Sequence, residues 1–372
     1  MTTQDSTIRF SRSRAVVVAA AFGAIALALT GCSSASAPSS QEEIRVVATT
    51  TQLADFTSAV VGNDGVVSGL ILPNSSAHQF DPSAKNLLDV GDAQALVANG
   101  AGLEPWLQDL MDAGAFSGDL VVASDGIVLR EGGHDHADEH AGEEVATDEE
   151  HAGHDHGDEH AGEEAATEEE HAGEEHAGEE KAAEDPHVWT APQNAIAMVN
   201  NIARGLSDVR PDLADTFAKN AAAYVEKLTL LDTWATEAFA SVAPEKRLLI
   251  TNHDAMGYFV DAYGITYVGS IMPSLDDNAE PSAQEIDALI ERIKQEGAVA
   301  VFSESTLSDK LATTIAQEAQ VAVYSGDDAL YADSLGPEGT DGATYLGATI
   351  HNVTVMVSAW GGTVPPLPAG LS

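Results

Sequence analysis

Residues 212–240 read DLADTFAKNAAAYVEKLTLLDTWATEAFA, 29 positions without glycine or proline, entered from Pro211. Proline suits the first turn of a helix, where its missing N–H costs nothing. At 1.5 Å per residue an unbroken helix here extends roughly 43 Å, longer than a small domain is wide. Such a helix serves as a spine joining two bodies. On its amino-terminal side, β-branched or apolar runs at 44–48, 66–72, 95–98 and 120–123 read as strands. They alternate with helical spacing at 50–61, 83–90, 104–111 and 192–206. On its carboxyl side the alternation returns, with strands at 247–251, 266–269, 299–302 and 321–324. Helices are expected there from 254, over 282–295, from 308, and over 343–360. Strand–helix alternation predicts parallel sheets covered on both faces. The expected fold is α/β: two lobes with parallel β-sheets flanked by helices, joined by one long rigid helix. The lobes span 44–206 and 242–372, with the linking helix at 207–241.

The amino-terminal 31 residues read as an export signal. Arg9, Arg12 and Arg14 precede an apolar run from Ala15 to Leu29 that is too short for a comfortable membrane span. The run ends in Leu29-Thr30-Gly31-Cys32, which resembles a bacterial lipobox, with cleavage leaving lipid on Cys32. Residues 32–43 then form a lipidated flexible tether, rich in Ser, Ala and Pro at 33–40. This predicts an extracytoplasmic protein anchored to the outer face of the bacterial cell membrane. Cys32 is the only cysteine, so the fold relies on burial without an internal disulfide.

A formal charge of −44 argues against a nucleic-acid partner, whose phosphates would be repelled. Much of that charge is local: 23 of the 60 acidic residues lie between Glu131 and Asp185. There a Gly-His-Asp-His-x-Asp-Glu-His-Ala-Gly-Glu-Glu unit repeats with a period of 20, so His134, His136 and His140 recur as His154, His156 and His160. His151, His171 and His176 complete the nine histidines of the segment. With almost nothing apolar to bury, 131–185 reads as a disordered insertion in the first lobe, able to collect zinc weakly. Its carboxylates would also take Ca²⁺ and Mg²⁺ weakly.

Four residues outside the repeat lie in loops beyond strands or at lobe edges: His78, His187, His253 and Asp333. In open α/β sheets ligands bind outside the carboxyl ends of the strands, where such loops gather. Singly, a loop histidine is more often a solvated turn residue, and Asp333 reads equally as a helix cap. His351 reads as a packed or surface histidine. Glu304 follows a strand and reads as a supporting group or cap; Asn252 and Trp189 flank expected ligands.

In that order His78, His187, His253 and Asp333 resemble the metal-binding lipoproteins of zinc and manganese ABC importers, the cluster A-I solute-binding proteins. Gly102-Leu103-Glu104-Pro105-Trp106 and Asp185-Pro186-His187-Val188-Trp189 extend the resemblance, which covers the chain from Ile44. It implies one metal in the cleft between two lobes, His78 and His187 from the first lobe and His253 and Asp333 from the second, and partners in a cognate permease and ATPase. Three imidazoles and one carboxylate make a closed four-coordinate set suited to Zn²⁺, with Mn²⁺ the second choice. A carboxylate at position 253 would tilt the set toward manganese.

Other readings remain open: a manganese-specific solute-binding protein, or a surface adhesin or metal-buffering lipoprotein without a transporter. An enzyme is not expected, since no His-Glu-x-x-His or Gly-x-Ser-x-Gly occurs and four protein ligands leave no open position. The chain is expected to be monomeric, and deletion of 131–185 to leave the tight site intact.

Overall fold

A computed structural model of the chain describes residues 43–132, 184–272, 274–275 and 280–371. The expected export signal, Cys32, the expected tether up to residue 42 and all nine repeat histidines lie outside the described residues. The first lobe runs β1 (Ile44–Ala48), α1 (Thr51–Val61), β2 (Gly65–Gly69), α2 (Ala84–Asp92), β3 (Ala95–Ala98), α3 (Leu107–Ala113) and β4 (Asp119–Val122). Its strands form a parallel sheet in the order β2-β1-β3-β4. Successive residues face opposite sides. Val46, Ala48, Ala95 and Val97 enter one core, while Val47, Leu96 and Ala98 enter a second under α2 and α3. This two-faced burial is why these strands read as continuous apolar runs.

Helix α4 (Pro192–Val209) leads through a single 3₁₀ turn, Pro211–Leu213, into α5 (Ala214–Ala240). Its 27 residues extend about 40 Å. Phe217 and Ala221 near its start and Trp234, Ala238 and Phe239 near its end are all buried. The helix packs on α1 and α4, then on the second lobe.

That lobe runs β5 (Leu248–Thr251), α6 (Gly257–Tyr263), β6 (Thr266–Ser270), α7 (Ala283–Glu296), β7 (Ala300–Phe302), α8 (Lys310–Ala319), β8 (Ala322–Tyr324) and α9 (Tyr345–Ala359). Two parallel pairs, β5-β6 and β7-β8, lie with β5 beside β7. Leu249, Ala300 and Phe302 join the core that also holds Val46 and Phe217, while Ile250 and Val301 face α7 and α8. The two α/β lobes thus share one continuous apolar layer, and Glu43–Ser372 forms one compact unit.

Two elements depart from the sequence reading. The helix expected from 254 begins at Gly257, because the preceding backbone is committed elsewhere. His253 N donates to Glu304 Oε1 (2.9 Å), Thr251 Oγ1 donates to His253 O (2.7 Å), and Asp254 N donates to Ser274 O (3.1 Å). The helix expected over 104–111 begins at Leu107. Glu104 is instead folded onto the end of β3, accepting from Thr49 Oγ1 (2.6 Å), Asn99 N (2.7 Å) and Gly100 N (3.0 Å).

Both edges of 131–185 are described: Glu131 and Glu184 form an antiparallel bridge, and Asp185 N donates to Arg130 O at 2.9 Å. Asp185 itself is wholly buried, and a buried carboxylate requires partners, which Arg130 and His187 supply. Glu131, Glu184 and Asp185 are thus paired with the fold that carries His187.

Candidate metal centre

Each of the four singled-out residues sits on a connection leaving a strand's carboxyl end. His78 lies between β2 and α2, His187 immediately before the 3₁₀ turn Val188–Thr190, His253 between β5 and α6, and Asp333 between β8 and α9. The fold brings all four together, with one ligand-type atom of each lying within 4.8 Å of the others. His78 Nε2 is 3.0 Å from His187 Nε2 and 3.6 Å from Asp333 Oδ2. Asp333 Oδ1 is 3.5 Å from His187 Nε2, and Oδ2 is 3.3 Å from His253 Nε2. A tetrahedral Zn²⁺ with bonds of about 2.0–2.1 Å sets its ligand atoms about 3.3–3.4 Å apart, and these four separations, 3.0–3.6 Å, bracket that spacing.

The polar accounting points the same way. Both His253 ring nitrogens, Glu304 Oε2 and both Asp333 oxygens are buried and, although close to one another, have no partner in hydrogen-bond geometry. Buried polar atoms that converge without hydrogen bonds are what a missing cation leaves. His187, His253 and Asp333 are almost entirely buried; only the His78 side chain, 10% exposed, reaches solvent. His351 is not part of the cluster: its Nε2 lies 3.0 Å from Ala329 O and its ring meets Tyr331 edge-on.

Two histidines are held from behind. His187 Nδ1 lies 2.8 Å from Asp185 Oδ1, which also accepts from His187 N at 3.0 Å. His253 Nδ1 lies 2.8 Å from Glu304 Oε2, while Glu304 Oε1 accepts from His253 N. A carboxylate behind an imidazole fixes its orientation and directs Nε2 forward. Glu304 is placed in turn by Asn252, whose Oδ1 accepts from Glu304 N at 3.1 Å. Asp185 was absorbed into the acidic repeat in the sequence reading; the one local signal was its place two residues before a candidate ligand.

Burial alone would raise the Asp333 carboxyl, yet the neighbouring His253, His187 and His78 hold it well below the usual carboxylate range. Burial likewise opposes a charge on His253, but Glu304 and Asp333 outweigh it and raise that imidazole well above its ordinary value. Both shifts favour the charged forms, a His253 imidazolium beside an Asp333 carboxylate.

The Asp333 loop is gripped by the first lobe. Trp189 Nε1 and Gln52 Nε2 both donate to Ala332 O (2.9 and 3.1 Å), and Leu335 N donates to Thr51 Oγ1 (2.8 Å). On the opposite side, Tyr258 OH donates to Asp185 O (2.8 Å), and Arg130 bridges Asp185 and Asp261. Gly257 permits that contact, since a Cβ there would lie 1.6 Å from Arg130 Nη1 and 2.6 Å from Asp185 Oδ2.

Two parallel-sheet lobes on a spine helix thus bring three imidazoles and a carboxylate to face one another. The chain belongs to the family of the zinc-uptake complex component A, periplasmic (ZnuA), whose profile matches residues 46–359. It is 34% identical over 279 residues to the zinc-binding protein AdcA of Streptococcus pyogenes serotype M3, covering 75% of this chain and 49% of that protein. The chain thus spans about half the length of the AdcA relatives it matches. It is 26% identical over 335 residues to the manganese ABC transporter substrate-binding lipoprotein scaA of Streptococcus gordonii, covering 87% of this chain and 92% of that one. The fold is that of the periplasmic zinc-binding protein TroA from Treponema pallidum (TM-score 0.66, 23% identity, 86% of this chain and 99% of that one). Among the described residues no helix is long and apolar enough to cross a membrane.

Proposed function

We propose that this protein is an extracytoplasmic, lipid-anchored receptor that captures Zn²⁺ between its lobes and delivers it to an ABC permease and its ATPase. His78, His187, His253 and Asp333 are the ligands in this reading, and Cys32 carries the lipid. The observation that supports it most is the convergence of three imidazole Nε2 atoms and one carboxylate at tetrahedral spacing, two of those imidazoles backed by buried carboxylates. Four protein ligands suit capture rather than hydrolysis, because no position is left for an activated water. With an imidazole at position 253 the donor set is nitrogen-rich, which ranks zinc above manganese. His78, the ligand that reaches solvent, is the first to meet an arriving ion and the last to release it.

Growth in chelated medium tests transport. A strain lacking this gene should regain zinc-limited growth with the wild-type chain and not with a His253→Ala variant, while Cys32→Ala should be released from the cell surface. Equal rescue by His253→Ala would favour an adhesin or metal-buffering role.

Three further results are expected. Deleting 133–183 should leave one tight zinc equivalent, because the antiparallel pairing of Glu131 with Glu184 closes the gap. Deleting 131–185 instead removes Asp185 from behind His187 and should weaken binding; equal affinity of the two deletions would contradict that role for Asp185. Glu304→Gln should lower zinc affinity about 10–100-fold, the usual effect of disturbing a group behind a metal-bound histidine. Near-wild-type affinity by chelator competition would make Glu304 a bystander.

The third result is a proton count. Glu304 and Asp333 favour a charged His253, and a metal-bound imidazole must be neutral, so at pH 7 about one proton is expected to leave per zinc bound. Calorimetry in buffers of differing ionisation enthalpy reads this directly, and a count near zero would show His253 already neutral. The sign follows from the raised imidazole. The proton stabilises the metal-free fold at low pH and is lost as pH rises through the folded-state value, so zinc affinity climbs over that same range.

A further inference from the structure

His187 presents its ring from a tight turn. Its backbone (φ −79°, ψ 44°) is close to an inverse γ-turn, which Val188 N closes by donating to Pro186 O at 2.8 Å. A carbonyl oxygen has two lone pairs. The second one on Pro186 is taken from the neighbouring sheet: Asn99, the residue after β3, donates to it from Nδ2 at 3.0 Å. The Asp185 carboxylate aims the imidazole, and Asn99 holds the peptide from which that imidazole projects.

Asn99 is itself locked. It is wholly buried, and its Nδ2 also donates to Gly100 O at 3.0 Å. Two carbonyls facing one amide fix the nitrogen toward them, because only that end can donate. The backbone N–H groups of Asn99 and Gly100 donate to the two oxygens of Glu104, at 2.7 and 3.0 Å. Gly100 allows this turn: it lies in the left-handed region (φ +79°), and a Cβ there would lie 2.5 Å from Val122 Cγ1.

A plain packing role does not account for this amide. Asn99 Oδ1 is buried and has no hydrogen-bond partner among the described residues, which carries a desolvation penalty. Leucine has nearly the same shape and would carry none. Both carbonyls would keep a donor without the amide: Val188 N on Pro186 O, and Leu103 N, at 3.1 Å, on Gly100 O. What leucine could not supply is the tie between the end of β3 and the residue preceding His187.

We infer that Asn99 is a positioning residue of the metal centre: through Pro186 O it fixes the turn that carries His187, and Glu104 holds Asn99 in place for that task. This role rests on the zinc reading of His187. A ligand that is already aimed gives up less freedom when the ion arrives, so releasing the turn weakens binding.

The test uses the full mature chain carrying Asn99→Leu, with Asn99→Asp as a second variant whose carboxylate faces two carbonyls and cannot donate. Zinc affinity is read by competition against chelators of graded affinity, and exchange of the Val188 N–H by NMR with chelator present. Either variant should bind zinc about tenfold more weakly and exchange Val188 N–H faster in the metal-free chain. Asn99→Leu should do so while staying folded without metal. In a His187→Ala background the same substitutions should change zinc affinity by less than about twofold, because the residue through which Asn99 acts is gone. An equal loss of affinity in both backgrounds makes Asn99 a general structural residue and overturns the positioning role. Unchanged affinity, or unchanged Val188 exchange, overturns it as well. A wild-type chain without tight zinc binding overturns the metal reading and the role of Asn99 with it, whereas tight wild-type binding with either of those patterns overturns Asn99 alone.

Discussion

Replacing His253 with alanine is expected to weaken zinc binding roughly hundredfold to thousandfold while the fold is retained. Closed four-ligand zinc sites supply about 10–16 kcal/mol at neutral pH, so one ligand accounts for about 3–4 kcal/mol, or two to three decades in Kd. The variant also leaves Glu304 without the imidazole that pairs with its Oε2. A modest loss of stability should accompany the loss of affinity, and Glu304→Gln in the same background should recover part of it. His253→Asp is the informative companion: a carboxylate keeps a ligand but hardens the set, and manganese should gain on zinc. Competition against a chelator of known affinity reads both. Zinc affinity within a few-fold of wild type in His253→Ala would remove this residue from the ligand set.

The second large effect is expected at Trp189. Its ring is 2% exposed, lies 5.5 Å from that of His187, and its Nε1 holds Ala332 O, the carbonyl preceding Asp333. Its own carbonyl accepts from Tyr345 OH at 2.7 Å. Trp189→Ala should cost about 3–5 kcal/mol of stability, as large aromatic truncations in packed cores do. Trp189→Phe separates packing from the hydrogen bond. It should keep most of the stability and still loosen zinc, because the Asp333 loop loses one of the two donors on Ala332. Thermal denaturation with and without zinc distinguishes the two variants. A Phe variant with unchanged zinc affinity would show that Gln52 alone suffices to hold that loop.

The shared apolar layer and the cross-lobe bonds bear on release. Thr51, Gln52 and Trp189 clamp the Asp333 loop from the first lobe, and Tyr258 clamps Asp185 from the second. Opening the lobes widely would break these bonds and expose part of one continuous core. Small loop shifts near His187 or His253 are the cheaper route on metal loss. Small-angle scattering should accordingly show little change in dimensions when zinc is added.

Much of this architecture was readable in advance because it depends on local pattern. The two-faced strands β1 and β3 are apolar throughout, and α5 lacks any breaker. His78, His187, His253 and Asp333 stood out because each follows a strand or marks a lobe edge in a recognisable order. What was not legible depends on distant partners. Asp185 looked like the last of 23 acidic residues, and only Arg130 and Tyr258, far away in sequence, reveal it as a buried support. Glu104 looked like a helix start because the three donors on its carboxylate come from β1 and the end of β3. The delayed start of α6 has the same cause, since the backbone groups of His253 and Asp254 are taken by Glu304, Thr251 and Ser274.

The most direct test is a chelator-competed titration of zinc, with manganese in parallel, into mature protein lacking residues 133–183. One tight zinc equivalent with much weaker manganese binding is the predicted result. No tight equivalent, or manganese bound as tightly as zinc, would contradict a zinc receptor built on His78, His187, His253 and Asp333.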